Sequence, residues 1–210
     1  MNYQEAADWA AERMNSYRTD PGGWRSCKRT NEVSISWRPS TEFHGNLYKA
    51  EGVIPAKPED VFKCLKPETG GLRQKWDQNV DEVVVVETIN DNVCIVRSVT
   101  PSALMKIISP REFVDVVKIK KDEDGTIASM ATNVEHPLCP PLPNYVRGLN
   151  YPCGCFCIPV SGDPGKTQLL GFFQTDLSGS LPQTVVESFF PTSITGFYSN
   201  LTKAVGKLVA

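Results

Sequence analysis

Three cysteines lie close together in the segment YPCGCFCIP. Cys153, Cys155 and Cys157 are two residues apart, so their sulfurs share one face if the segment is a β-strand. A zinc site needs four ligands that converge as a tetrahedron, and thiols strung along a straight strand cannot all reach one ion. Only a bent strand, with His136 and Cys139 as further ligands, would make such a site. We interpret the three thiols as small buried side chains, with zinc binding and redox sensing as the alternatives.

Groups that could act as a catalytic base are scarce. The sequence has 2 histidines, His44 and His136, so a nucleophile of the Ser-His or Cys-His type would have to use one of them. His136 is near Cys139, but the surrounding EHPLCPPLP is typical of a rigid proline-rich loop. The segment VSGDPGKT resembles a phosphate-binding loop, yet Val160 stands where the first glycine belongs. We therefore expect no enzyme activity, no cofactor and no metal.

The composition is that of an ordinary globular domain. The chain has 210 residues, 40% of them hydrophobic, and a formal net charge of −2. Without a basic surplus we expect no nucleic-acid partner. The N-terminal segment carries acidic residues where a secretory signal needs an apolar run, and 7 cysteines without an export signal suit a reducing compartment. We expect one domain spanning residues 1–210, in the cytoplasm.

Apolar spacing divides the chain into helices and strands. Residues 2–18 and 58–65 have helical spacing, and period-two alternation predicts strands over 33–37, 46–53, 82–89, 93–100, 113–120, 126–134, 145–158 and 167–177. Short turn-forming links between consecutive strands predict antiparallel neighbours.

The last segment of the chain predicts a long amphipathic helix. Apolar residues recur at helical spacing from Leu181 to Leu208. Ser180 and Gln183 resemble a capping box at its start, and Pro191 predicts a kink inside it.

Two segments suit ligand binding without reaction. The strand TIASMATNV has small or mildly polar side chains on both faces, which leaves space beside it unless bulky helix residues fill that space. The connection TPSALMKIISPR, residues 100–111, is unusually apolar. It either packs on the protein, covers a pocket as a gate, or touches a membrane.

Several longer motifs carry a family resemblance. LRQKWDQNV, SPREFVD, HPLCPP, YVRGLNYPCGCFC and TDLSGSLPQ resemble the StAR-related lipid-transfer (START) domain family, in its order, from about Trp24 to Leu208. The resemblance implies an α+β helix-grip fold: a curved antiparallel β-sheet of about nine strands, with a long C-terminal helix that closes an internal lipid cavity. It also implies non-vesicular carriage of one sterol or bile acid molecule, with transient membrane contact, as a monomer and without catalysis.

The resemblance also implies where the ligand would lie. The gating loop would be residues 100–110, and the lid the helix from Leu181 onward. The ligand-binding residues it implies are Arg73, Met105, Asn133, Arg147, Phe172, Thr175, Val186, Phe190, Ile194 and Tyr198. We expect Arg73 or Arg147 to meet a bile acid carboxylate. The acid–arginine pair of some cholesterol-binding members aligns with Ser98 and Val117, which favours a hydroxylated sterol or a bile acid over cholesterol.

Two other functions remain open for a protein with such a cavity. It could be a lipid-sensing module that regulates a protein partner, or an enzyme that acts on a hydrophobic substrate. Turnover assays, and pull-downs with and without ligand, separate these functions from carriage.

Overall fold

The structure is a computed structural model that describes residues 1–209. Its helices are α1 (Tyr3–Thr19), α2 (Pro58–Leu65), α3 (Arg73–Trp76) and α4 (Gln183–Leu208). Its longer strands are β1 (Arg25–Arg29), β2 (Ser34–Pro39), β3 (Asn46–Ile54), β4 (Glu82–Asn90), β5 (Val93–Thr100), β6 (Arg111–Lys121), β7 (Ile127–Asn133), β10 (Cys153–Val160) and β11 (Asp163–Phe173). Three strands have two residues each: β8 (Val146–Arg147), β9 (Leu149–Asn150) and β12 (Thr175–Asp176).

The nine longer strands form one antiparallel sheet in the order β1-β2-β3-β11-β10-β7-β6-β5-β4. Within the described residues the edge strands β1 and β4 do not pair with each other, so the sheet is open. Strand β8 adds to β6 in parallel, and β9 pairs with β12 in a separate ladder. The predicted sheet of about nine strands with a long C-terminal helix is confirmed.

The two faces of the sheet are covered by different helices. On one face, Met14 and Tyr17 of α1 pack with Met130, Phe156 and Phe172. On the other face, α2, α3 and the second half of α4 form the largest hydrophobic cluster. Its helical members include Val61, Leu65, Trp76, Ile194, Phe197, Tyr198 and Leu201. The molecule therefore has a helix–sheet–helix arrangement with a separate core on each face.

Helix α4 has two unlike halves. Its fully buried residues all follow Pro191, whereas residues 183–190 are half-buried or exposed. In the second half, the Tyr198 hydroxyl oxygen lies 2.8 Å from the Leu169 carbonyl oxygen and 3.0 Å from that of Ala50. A Cβ at Gly52 would lie 2.2 Å from the Glu32 carbonyl oxygen and 2.9 Å from the Tyr198 ring. Glycine at position 52 thus permits the helix to lie this close to the sheet.

The predicted capping box at Ser180 is wrong. The N-cap of α4 is Pro182, and no side chain within residues 1–209 caps that end. A residue before proline is forced away from helical geometry, so Leu181 cannot open the helix. Gln183 instead donates through Nε2 to Glu187 Oε1 at 2.7 Å.

Several element boundaries also differ from the predictions. The segment 145–158 is divided into β8, β9 and β10, and 167–177 into β11 and β12. Strand β1 and helix α3 were not predicted, because RSCKR lacks apolar alternation and four residues are too few for helical periodicity. No helix among the described residues is both long enough and apolar enough to cross a membrane.

Candidate functional site

A cavity of about 250 Å³ lies between the sheet and the middle of α4; we call it the central cavity. Its apolar lining includes Val83, Val96, Val117, Ala131, Phe173 and Phe197. The cavity exists because β7 presents Ser129 and Ala131 to this side, while Ala128 and Met130 fill the core on the α1 side. Small side chains opposite a helix leave a gap that bulkier ones would fill.

One part of the cavity wall is polar. Thr175 donates from Oγ1 to Asn150 Oδ1 at 2.7 Å, and Asn150 donates from Nδ2 to Asp115 Oδ2 at 2.8 Å. Burial raises the pKa of Asp115 to about 7. Asn133, predicted as a ligand contact, donates to the Asn150 carbonyl oxygen at 2.7 Å and so holds the backbone of this group.

Arg73 lines the central cavity from α3. Its Nε donates to Asp77 Oδ2 at 2.6 Å, and its guanidinium carbon lies 5.3 Å from the ring centroid of Phe197. A positive charge is thereby fixed beside the apolar lining.

Arg147, the other predicted cation, is paired elsewhere. Its Nη2 donates to Glu112 Oε1 at 3.1 Å and to the Cys139 carbonyl oxygen at 2.8 Å. Burial alone would raise the pKa of Glu112, but the Leu142 N–H and Arg147 hold it below its ordinary value. Arg147 therefore balances a buried carboxylate, and of the two arginines Arg73 is the one that borders the cavity.

A second depression of about 370 Å³ lies beside the first half of α4; we call it the outer cleft. Val186 and Phe190 line it from α4, and Phe190 lies 5.4 Å from Tyr48 between ring centroids. Thr175 lines both the outer cleft and the central cavity. The two spaces are neighbours at this residue.

Three predicted contacts have their side chains in packed regions. Ile194 and Tyr198 belong to the core cluster of the α4 face. Phe172 borders the cavity, but its ring lies among those of Tyr17, Trp24 and Phe156 on the α1 side.

The aromatic side chains of the cavity come from two other positions. Phe173 and Phe197 both line it, 5.8 Å apart between ring centroids. The sequence patterns did not identify Phe173 and Phe197 as ligand contacts, nor Asp115 and Asn150. A carboxylate inside the valine-rich strand FVDVVKIK was the available signal for Asp115.

The apolar connection of residues 100–110 forms a short loop whose base is closed by backbone hydrogen bonds. Ala103 and Ile108 exchange backbone hydrogen bonds of 2.8 and 3.1 Å at its base. At its tip Met105 is 95% exposed, and residues 104–106 all have positive φ. Ile108 packs with Phe113 and Leu177, against half-buried side chains of the first half of α4.

Buried Arg111 connects this loop to the segment before α4. Its Nη1 donates to the Ser109 carbonyl oxygen at 2.6 Å, and its Nε donates to that of Leu177 at 2.9 Å. The loop base and the segment that precedes α4 are thus held by one side chain.

The three clustered cysteines lie on strand β10, as predicted. Cys153 and Cys155 border the cavity, and Cys157 is in the core. Burial raises the pKa of Cys155 to about 12 and raises that of Cys153 well above its ordinary value. Over residues 1–209, no group of three or more His, Cys, Asp or Glu side chains could hold a metal ion.

Comparison with known proteins matches this architecture to one family. The START domain family profile matches residues 4–210. StAR-related lipid transfer protein 5 of Mus musculus is 59% identical over 203 residues, 97% of this chain and 95% of that protein. The structure of human StAR-related lipid transfer protein 5 superposes with a TM-score of 0.94 at 55% identity, over 99% of this chain and 98% of that one.

A more distant structure shares the fold alone. The Zhui aromatase/cyclase of Streptomyces sp. R1128 superposes with a TM-score of 0.50 at 12% identity, over 78% of this chain and 95% of that one. From the profile match and the high identity over nearly its whole length, the chain belongs to the START domain family.

Proposed function

We propose that this protein is a single-domain lipid carrier that binds one sterol or bile acid molecule in the central cavity and exchanges it with membranes without vesicles. The observation that carries the proposal is the largely apolar cavity between the sheet and α4. Membership of a family whose relatives are named lipid transfer proteins supports it.

The free energies of moving a lipid into the cavity from water and from a bilayer suit a carrier. Moving roughly 400 Å² of apolar ligand surface from water into an apolar cavity is worth on the order of 10 kcal/mol. Moving the same ligand out of a bilayer gains almost none of this, because lipid tails are equally apolar. The ligand is then held against water but can return to a membrane.

Loading requires the cavity to open. At about 250 Å³ the central cavity is smaller than most ligand sites, which occupy roughly 300–1,000 Å³. From α4, Phe197 lines the central cavity, whereas Val186 and Phe190 of the first half line the outer cleft. We propose that the first half moves outward, which widens the outer cleft, and that the ligand passes Thr175 from there into the central cavity. Met105 and Ile107, which are 95% and 57% exposed at the loop tip, would make the transient membrane contact.

Carriage is favoured over the two other functions. Cys153 and Cys155 at the cavity are held as protonated thiols, which are poor nucleophiles, and this argues against an enzyme. The central cavity would suit a lipid sensor equally well. Transfer of lipid between vesicles is therefore the property that distinguishes a carrier from a sensor. We propose a cytoplasmic monomer, because a carrier between membranes has to diffuse freely.

Substituting Ala131→Phe tests the cavity directly. A phenyl ring at this lining position would occupy the empty space, so we expect transfer of a fluorescent sterol between vesicles to fall at least tenfold with little change in thermal stability. The control is Ala128→Phe, because Ala128 is 2% exposed in the packed core on the other face of β7. There the added ring should cost about 1–3 kcal/mol. Full transfer by Ala131→Phe, or equal destabilisation of both variants, would contradict the proposal.

A further inference from the structure

The central cavity contains one carboxyl group whose position the proposed function leaves unexplained. Asp115 lies on β6 between Phe113 and Val117 and lines the cavity among valines. Its Oδ2 accepts from Asn150 at 2.8 Å. Its buried Oδ1 has no hydrogen-bond partner within residues 1–209. An unpartnered buried oxygen costs free energy unless a bound molecule supplies the missing partner.

Burial raises the pKa of Asp115, and its neighbours compensate a carboxylate only in part: the hydrogen bond from Asn150 and the positive charge of Arg147 both lower this pKa. Arg73 of α3 is paired with Asp77, and Arg147 of β8 is paired with Glu112. Cys153 of β10 is a thiol whose pKa is raised, mainly by burial and partly by Asp115 itself. Strands β5 and β7 present Ser98 and Ser129 to the cavity, and neither side chain titrates. Burial consequently dominates, and the pKa of Asp115 is about 7.

We propose that Asp115 recognises an oxygen atom of the bound lipid and that uptake of the lipid is coupled to uptake of a proton by this carboxyl group. This inference rests on the proposed function and assigns the polar end of the ligand to the wall formed by Asp115, Asn150 and Thr175. The protonated carboxyl donates through Oδ1 to a hydroxyl or keto oxygen, while Oδ2 keeps its bond from Asn150.

The coupling follows from the removal of water. A lipid that fills the cavity excludes the remaining water from Asp115, which disfavours the ionised form further. The pKa of Asp115 is then higher in the loaded protein than in the empty one. Below about pH 7 the carboxyl is already protonated and binding is strongest. Above that pH, binding has to take up a proton, so affinity falls by up to about tenfold per pH unit until the pKa of the loaded protein is reached.

A purely structural role for Asp115 predicts something different. If the carboxyl only anchored Asn150, its removal would change stability and would leave the pH dependence of binding as in the wild type. The pH profile therefore distinguishes recognition of the ligand from support of the fold.

The test is the affinity for dehydroergosterol, a fluorescent sterol with a free hydroxyl, from pH 6 to 9 in the wild type and in the D115N variant. The amide of D115N imitates the protonated acid: its oxygen accepts from Asn150 and its NH₂ donates to the ligand. We expect wild-type affinity to fall about tenfold or more across this range, and D115N to keep the pH 6 affinity within about twofold. The control is Asp163→Asn, because Asp163 pairs with Lys166 at 3.0 Å on the surface; it should retain the wild-type profile.

A second measurement uses the unmodified protein. Calorimetric titration near pH 8 in buffers of different ionisation enthalpy counts the protons taken up as sterol binds, and we expect a value approaching one that D115N abolishes. Equal pH profiles in wild type and D115N, or no proton uptake by the wild type, would overturn this inference and leave carriage intact. Failure of the wild type to bind any sterol or bile acid at any pH would overturn the proposed function, and the inference with it.

Discussion

Arg73 is the cationic side chain that borders the central cavity, and this position suits an anionic ligand. Asp77 accepts a hydrogen bond from the Nε of Arg73 at 2.6 Å, and this bond does not use the two terminal nitrogens of the guanidinium group. A steroid carboxylate beside them would avoid the cost of an unpaired buried charge. Neutral sterols gain nothing from this charge.

Substituting Arg73→Gln should therefore separate the two ligand classes. Glutamine removes the charge and keeps a donor for Asp77. We expect the affinity for a bile acid such as cholate to fall about tenfold, the value of one charge-assisted hydrogen bond. The affinity for a neutral sterol should change less than about twofold, because no charge is involved. Lys75→Gln removes the same charge from an exposed position on the same helix, and binding of both ligands should be unchanged. If Arg73→Gln lowered the affinity for both ligands equally, Arg73 would not be the residue that binds the carboxylate.

At the scale of the element, α4 combines an anchored half with a less buried half. The second half is fixed by Tyr198 and by buried Leu201 and Val205, while no residue of 183–190 is fully buried. Pro191 lies at the junction and removes one backbone hydrogen bond from the helix. The first half is thus the part of α4 that can separate from the sheet at the lowest cost in free energy.

Restoring that hydrogen bond should slow ligand exchange. In Pro191→Ala we expect sterol release to slow severalfold and the free energy of unfolding to rise, measured by stopped-flow fluorescence and chemical denaturation. Gly196→Ala is the control: its Cβ meets nothing within 4 Å, and it strengthens the anchored half by up to about 1 kcal/mol. If Gly196→Ala slowed release as much as Pro191→Ala, opening would involve the whole helix instead of its first half.

The elements were far more predictable than the side chains that line the cavity. The alternation of apolar and polar residues identified eight strand segments, because side chains of a half-buried strand point alternately to the core and to solvent. It could not decide between the consecutive residues Phe172 and Phe173, since a shift of one residue exchanges the faces. The spacing of Ile194 and Tyr198 places them on one face of α4. Whether that face borders a cavity or packs in a core depends on how closely α4 approaches β3 and β11, which the spacing does not show. The chain of hydrogen bonds from Thr175 through Asn150 to Asp115 joins β12, β9 and β6, which are far apart in the sequence.

The whole molecule is a sheet with a packed core on each face and one cavity on the α4 face. On the α1 side, aromatic rings and methionines pack closely, and on the α4 side small β7 residues leave the central cavity. Arg111 links the loop of residues 100–110 to the chain that enters α4 through hydrogen bonds to Ser109 and Leu177. The proposed carriage requires both a stable core and opening of the cavity to its ligand.

Photo-crosslinking with a diazirine-bearing sterol, followed by peptide mass spectrometry, tests the central claim most directly. The account predicts one adduct per protein on cavity-lining segments, at Ala131, at Phe173 or at Phe197, and its disappearance when unlabelled sterol is added. Adducts confined to the exposed tip around Met105 or to the α1 face, with the cavity segments unlabelled, would contradict it.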